Sequence, residues 1–223
     1  MWIAALGARA LRARIVATAR AMNAHGINRG KSGNVSARMP GPFTEFLITP
    51  TGMPYDTMSA RDIVPMTADG EAQGTRKPSS EWWFHRDLYR ARDDLHAIIH
   101  VHSPFATALA CLPTGIPAFH YMVAVAGGRD IRCAPYTTYG TPALAEHVVA
   151  AMHGRRACLL ANHGMIAGGA SLDEALALAV EVETLAEMYC RARQLGEPAL
   201  LSDAEMDDVL ARFRTYGQQP PRR

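Results

Sequence analysis

The chain has few lysines, no clustered cysteines and almost no net charge. Each of these features argues against a class of mechanism, partner or structure. Its only lysines are Lys31 and Lys77, both in predicted loops, which argues against catalysis through a lysine imine. Its 23 basic and 21 acidic residues nearly balance, so the charge gives no reason to expect a nucleic acid or a membrane as partner. It contains no run of 18 apolar, uncharged residues, so no transmembrane helix is predicted.

The four cysteines lie far apart and form no C-x-x-C pair, at Cys111, Cys133, Cys158 and Cys190. This spacing argues against a disulfide framework and against a cysteine-type zinc knuckle. We therefore expect small buried side chains in a reducing compartment.

The first 44 residues contain no acidic side chain and several arginines, a composition partly typical of a transit peptide. However, apolar residues recur at helical spacing, at Ile3, Leu6, Leu11, Ile15, Ala19 and Met22. This periodicity predicts an amphipathic first helix instead. Because there is no signal-peptide cleavage pattern either, we expect a cytoplasmic protein.

The remaining pattern predicts one α/β domain over residues 1–223, with 218–223 as a frayed polar tail. Strands are predicted at 35–39, 45–48, 97–102 and 157–161. Helices are predicted from the segment 77–80 to about 92, after Ser103 to 112, and over 141–154, 171–196 and 202–217. This irregular order does not fit a regular βαβ array.

Three histidines are candidates for a metal site. His100 and His102 are two residues apart on a predicted strand, so both side chains point to the same face. An H-x-H pair alone is more often a pair of edge or core histidines than a metal site. His163 follows another predicted strand, and three histidines with a nearby carboxylate make a catalytic-type zinc site. Copper, iron and nickel suit the same ligands, and the sequence does not choose among them.

A second candidate site lies in Pro78-Ser79-Ser80-Glu81, at a predicted helix N-terminus. Two hydroxyls and free backbone N–H groups there could bind an anion. Ordinary helix capping, with serine as N-cap and Glu81 in the first turn, explains the same residues. The turns at Gly33-Asn34 and Thr51-Gly52 could likewise hold a phosphate or serve only as turns.

Five motifs occur in a fixed order: Gly33-Asn34-Val35-Ser36, Ile48-Thr49-Pro50-Thr51-Gly52, Pro78-Ser79-Ser80-Glu81, His100-Val101-His102 and Asn162-His163-Gly164. Together they resemble the class II aldolase/adducin superfamily over about residues 10–217. The segments 116–121, 126–128, 133–136 and 213–217 resemble in particular its L-fuculose-phosphate aldolase branch.

The resemblance implies a single α/β domain with a central, mostly antiparallel β-sheet flanked by helices. It also implies a homotetramer with active sites at subunit interfaces, and a phosphorylated ketose as the small-molecule partner. One Zn²⁺ per subunit, or another divalent metal, would be held by His100, His102 and His163, with Glu81 beside it. Six residues would hold the substrate phosphate: Gly33, Asn34, Thr51, Gly52, Ser79 and Ser80.

Two positions separate aldolase from epimerase within this resemblance. The epimerases have aspartate at the position of Glu81, and an aspartate from the neighbouring subunit near the position of Tyr121. Both departures favour an aldolase here. Glu81 would act as acid/base at the substrate carbon, Tyr121 of an adjacent subunit would exchange the proton of the C4 oxygen, and Tyr216 would orient the aldehyde end. Simple packing remains an alternative role for both tyrosines.

The expected reaction is reversible cleavage of a ketose 1-phosphate between C3 and C4, through a metal-stabilised enediolate. L-Fuculose 1-phosphate would yield dihydroxyacetone phosphate and L-lactaldehyde, and a 5-deoxypentulose 1-phosphate would yield acetaldehyde. An epimerase, dehydratase or decarboxylase on the same scaffold needs a similar site. A non-catalytic adducin-like module would have lost the histidines and Glu81, and a metal-dependent hydrolase would need a hydrolysable bond in its substrate.

Overall fold

The structure, a computed structural model, describes residues 2–214, with side chains described from residue 7 onward. The helices are Trp2–Ala24 (α1), Trp82–Ala91 (α2), Pro104–Ala110 (α3), Pro142–Ala151 (α4), Leu172–Leu195 (α5) and Asp203–Phe213 (α6). A 3₁₀ turn covers Tyr121–Ala126. The strands are Asn34–Arg38 (β1), Glu45–Ile48 (β2), Val64–Thr67 (β3), Ala97–Val101 (β4), Cys133–Ala134 (β5), Ala157–Leu160 (β6) and Gly164–Gly169 (β7).

The strands form one seven-stranded sheet in the order β3-β2-β1-β4-β7-β6-β5. Five of its six pairings are antiparallel, and only β5 and β6 run parallel. The predicted α/β class and mostly antiparallel sheet are therefore confirmed. The sheet has β4 at its centre, so the strand that carries His100 is hydrogen-bonded on both sides.

Helices cover both faces of the sheet. One core is formed with α1, α3 and α5, and the other with α2 and α4. In β4, Ile99 and Val101 face the first core and Ile98 the second, as the alternation of a strand requires. His100 shares the face of Ile98, which places it under α2.

Three local predictions differ from the structure. The strands β3, β5 and β7 were not predicted. Helix α2 begins at Trp82, because residues 77–79 instead pair with the loop after β2 through a Pro50–Pro78 bridge. Glu81 occupies the N-cap position without capping through its side chain, so the predicted place of Glu81 in the first turn is wrong.

The two predicted capping boxes differ from each other. Ser202 and Glu205 form the full reciprocal pair at the start of α6. At the start of α5 the Ser171 hydroxyl accepts from the backbone N–H of Glu174, whose carboxylate accepts from Ala170. The predicted end of α6 near residue 217 and the tail 218–223 lie outside the described residues.

Within the part of the chain that the structure describes, no helix combines the length and the apolar character needed to cross a membrane.

Candidate active site

The three predicted metal ligands meet at one end of the sheet. His100 is the penultimate residue of the fully buried strand β4 and His102 directly follows the strand, while His163 lies in the turn between β6 and β7. Because β7 pairs with β4, this turn lies beside the two strand histidines. One ring nitrogen from each histidine falls within a cluster 4.8 Å across.

The hydrogen bonding of His100 directs a lone pair into this cluster. Its Nδ1–H donates to the Met165 carbonyl at 2.9 Å, so Nε2 carries no proton in the neutral ring. That Nε2 atom lies 3.0 Å from Nε2 of His102. A backbone carbonyl behind a histidine is the usual way in which proteins fix the tautomer of a metal ligand.

Glu81 completes the cluster from the N-cap of α2. Its Oε2 lies 3.3 Å from His100 Nε2, and its Oε1 lies 3.0 Å from His163 Nε2. Oε1 is nevertheless buried without a well-aligned hydrogen-bond donor among the described residues. The carboxylate and the imidazoles therefore point at a common centre rather than at one another. Three imidazoles and one carboxylate fit a divalent cation.

The charges in the cluster favour the metal-binding forms of Glu81 and His102, whereas at His100 the effect of burial is outweighed by the Glu81 carboxylate, which raises the pKa of this histidine. Burial alone would raise the pKa of Glu81. The charges and hydrogen bonds of His100, and then of His163, have the larger effect and hold this pKa far below its usual range. Burial, followed by the charges of His100 and His163, lowers the pKa of His102 to about 4. Glu81 is therefore ionised and His102 neutral, which are the states that bind a metal.

The loops predicted to hold a phosphate lie next to the histidine cluster. Ser79 donates its backbone N–H to the Thr49 carbonyl at 3.0 Å, and Thr51 donates to the Lys77 carbonyl at 3.1 Å. These bonds join the loop after β2 to the loop before α2. Gly33 reaches the same end of the sheet just before β1, where a Cβ atom would meet the His100 carbonyl at 2.6 Å. Only glycine fits there.

The remaining members of the predicted phosphate set differ in their surroundings. Gly52 is exposed, with a φ of +66° that strains any other residue. Ser80 lines the cavity in front of the histidines. Asn34 is buried, and its amide bonds Glu81 and His85 instead of facing solvent. Contact between its side chain and a phosphate would have to use its second N–H.

A cavity of about 310 Å³ opens in front of the histidines. Its lining includes five residues that the sequence analysis did not select as site residues: Ser32, Tyr136, Thr137, Tyr139 and Asn162. The two tyrosines are 61% and 65% exposed, so their rings form an apolar rim that solvent can reach. The only sequence signal for Tyr136 was the resemblance of segment 133–136 to the aldolase branch, and Tyr139 had none.

Tyr121, one of the two predicted catalytic tyrosines, is not brought to the cavity of its own chain. Tyr121 begins the 3₁₀ turn and is 50% exposed, and it is not among the described residues that line the cavity of its own chain. Tyr216 lies outside the described residues. Their roles therefore stay predictions.

Comparison with known proteins agrees with this geometry. Residues 13–190 match the family described as Class II Aldolase and Adducin N-terminal domain. The chain belongs to this family, and it is an enzyme of the metal-dependent class II aldolase type, a carbon–carbon lyase.

Three relatives illustrate the likeness. The chain is 51% identical over 208 residues to the 5-methylthioribulose-1-phosphate/5-deoxyribulose-1-phosphate aldolase of Rhodospirillum rubrum, covering 93% of each chain. It is 45% identical over 204 residues to the L-fuculose phosphate aldolase of Escherichia coli K12, covering 91% of this chain and 94% of the relative. A solved structure of L-fuculose 1-phosphate aldolase superposes with a TM-score of 0.88 at 42% identity, covering 92% of this chain and 96% of that one.

Proposed function

We propose that the enzyme cleaves a ketose 1-phosphate reversibly into dihydroxyacetone phosphate and a small aldehyde. The observation that supports this most is the cluster of His100, His102, His163 and Glu81, beside a cavity of about 310 Å³ and next to the predicted phosphate loops. A cavity of this size suits a small phosphorylated sugar.

We propose Zn²⁺ as the cation, held by the three histidines with Glu81 beside it. When bound, it would supply Lewis-acid stabilisation of the negative charge that develops on the substrate oxygens. His100 supports this role because Met165 fixes its tautomer. His102 supports it because it is neutral at physiological pH.

Glu81 is proposed to move the proton at the reacting carbon. Breaking the C3–C4 bond leaves an electron pair on C3, which must accept a proton before dihydroxyacetone phosphate departs. A buried carboxylate at the edge of the cavity is placed for that transfer. In the reverse reaction, the Glu81 carboxylate first removes this proton from dihydroxyacetone phosphate.

The phosphate is proposed to bind between the paired loops at Thr51-Gly52 and Ser79-Ser80, with Gly33 and Asn34 beside them. Binding energy from this remote group positions the reacting carbons.

Tyr121 is proposed to act in the active site of an adjacent subunit of a homotetramer. In support, Tyr121 is half-exposed and lies outside the cavity of its own chain. Tyr216 is proposed to orient the aldehyde end.

Three candidate substrates differ in the aldehyde half. L-Fuculose 1-phosphate would give L-lactaldehyde, and the E. coli relative supports it. The relative from R. rubrum supports 5-deoxyribulose or 5-methylthioribulose 1-phosphate, whose apolar tail would contact the rim formed by Tyr136 and Tyr139.

The test is the release of dihydroxyacetone phosphate from these three substrates, with and without a chelator. We expect chelator-sensitive release, restored by zinc, from at least one of them. Conversion without release of dihydroxyacetone phosphate would replace the aldolase proposal with an epimerase or dehydratase. Release that a chelator leaves unchanged would contradict the metal assignment.

A further inference from the structure

A chain of five buried polar side chains runs from the candidate metal centre into the protein between α2 and β1. We call it the buried ladder, and it consists of Glu81, Asn34, His85, Ser36 and Tyr89. Each of these residues is at most 5% exposed. Glu81 and Asn34 are predicted site residues, whereas neither the sequence analysis nor the comparisons give His85 a role.

The ladder follows from the spacing of its residues. Glu81, His85 and Tyr89 are four residues apart at one helix face, and Asn34 and Ser36 are two apart on one strand face. Four helical residues rise about 6 Å and two strand residues about 6.6 Å, so the two rows stay in step. The side chains therefore alternate between helix and strand.

The carboxylate at the end of the ladder fixes the direction of every bond in it. An ionised Glu81 only accepts, so Asn34 must turn its Nδ2–H toward Oε2, at 2.9 Å. The Asn34 Oδ1 then faces Nε2 of His85 at 2.5 Å, and this nitrogen must carry the proton. His85 Nδ1 is left to accept from the Ser36 hydroxyl at 2.6 Å, and Ser36 accepts from Tyr89 at 2.7 Å.

We propose that His85 is a positioning residue, which holds the Asn34 amide through its Nε2–H and thereby holds the Glu81 carboxylate against the metal-binding histidines. Among the described residues, His85 forms hydrogen bonds with Asn34 and Ser36 rather than with the histidine cluster, and it does not line the cavity. It acts through Asn34, which otherwise has a buried carbonyl oxygen with no donor. The inference rests on the proposed role of Glu81 at the metal.

The test compares two buried substitutions on the same face of α2. His85→Leu removes the donor to Asn34, whereas Tyr89→Phe removes only the outermost hydroxyl and leaves Ser36 free to donate to His85. Zinc affinity of the metal-free protein is measured by competition with a chromogenic chelator, together with thermal unfolding, kcat and KM. Crystal structures of both variants report the position of Glu81.

We expect His85→Leu to weaken zinc binding about 10–100-fold, the range known for residues that orient metal ligands, and to lower kcat more than it raises KM. Tyr89→Phe should lower thermal stability but leave zinc affinity essentially unchanged. His85→Gln, which keeps an N–H toward Asn34, should recover part of the affinity. Equal zinc affinity in His85→Leu and Tyr89→Phe would overturn the proposal.

If His85→Leu does not fold, Ser36→Ala is measured instead. Without the Ser36 hydroxyl, His85 Nδ1 has no donor, so the ring can adopt the tautomer that carries its proton on Nδ1 and does not donate to Asn34. The proposal then requires weaker zinc binding in Ser36→Ala than in Tyr89→Phe, and equality refutes it. Since zinc titration needs no substrate, an error in the proposed substrate would appear in the aldolase assay of the wild type and would leave this comparison intact.

Discussion

Gly164 is the position where one added methyl group should act directly on the candidate metal centre. A Cβ atom there would lie 2.5 Å from the Val101 carbonyl, 2.8 Å from His102 Cδ2 and 3.3 Å from His100 Cε1. Its backbone φ is outside the left-handed region, so alanine meets no conformational penalty. The whole effect of Gly164→Ala is therefore steric.

The size of the effect follows from how the contact is relieved. Forcing an extra carbon into a packed interior costs about 1–3 kcal/mol. The closest contact is with the backbone carbonyl of Val101, so the metal-free protein must shift the β4–β7 pairing as well as the His102 ring, whereas ligation tolerates only about 0.2 Å of error in ligand distance. If zinc binding has to return the His102 ring to its wild-type position, the same strain of about 1–3 kcal/mol lowers the zinc affinity about 5–150-fold.

The matched control is Gly168→Ala, on the same strand and the same strand face. Its Cβ would meet the methyl groups of Leu95 at 3.1 and 3.2 Å, which can move aside. Zinc affinity is measured by chelator competition, and aldolase activity at saturating zinc. We expect weaker zinc binding in Gly164→Ala alone. The reasoning is refuted if the two variants bind zinc equally.

Three further predictions concern single side chains. Glu81→Gln should abolish most turnover while the three histidines still retain zinc, more weakly than in the wild type because the carboxylate charge is lost. His163→Ala should lose zinc and activity together. Metal analysis after dialysis and the aldolase assay check both, and wild-type turnover in Glu81→Gln would remove its acid/base role. Burial lowers the pKa of His85 to about 3, so the stability that its neutral form contributes is complete above pH 6.5 and is lost as the pH falls toward 3. The free energy of unfolding of the metal-free protein, measured with urea, should therefore be lower at pH 5 than at pH 7. In His85→Gln this decrease should be smaller by about 2 kcal/mol, and an equal decrease in both proteins would contradict a buried, neutral His85 ring. Glu183 on α5 accepts three hydrogen bonds from the start of α3, so Glu183→Ala should cost about 2 kcal/mol in urea unfolding. Glu187→Ala, which removes only an exposed ion pair one turn later, should cost about 0.5 kcal/mol or less, and similar costs for both would contradict the capping role.

The candidate site could be predicted well where the chemistry is local. His100 and His102 share a strand face whatever the rest of the fold does, and the order of the motifs led to the family. The same reasoning could not determine how Asn34 is used. Its amide is held by Glu81 and His85, which are 47 and 51 residues away.

The fold was harder to predict where long-range pairing decides the local structure. Strand β7 has three glycines in six residues, a composition that disfavours strands. It is extended because β4 and β6 pair with it on both sides, and Gly164 and Gly169 allow neighbouring backbone to approach closely. Similarly, residues 77–79 look like the start of a helix, but they bridge to the loop after β2.

The sequence separation between His100 and the residues that complete its site has a consequence for the folding pathway. The carbonyl that orients His100 belongs to Met165, which is 65 residues further along the chain. Contacts of such separation form late, because the loop between them must close first. The centre therefore cannot capture a cation in a nascent chain that lacks the β6–β7 hairpin. Zinc uptake during refolding would report the docking of this hairpin onto β4 rather than any earlier helix formation.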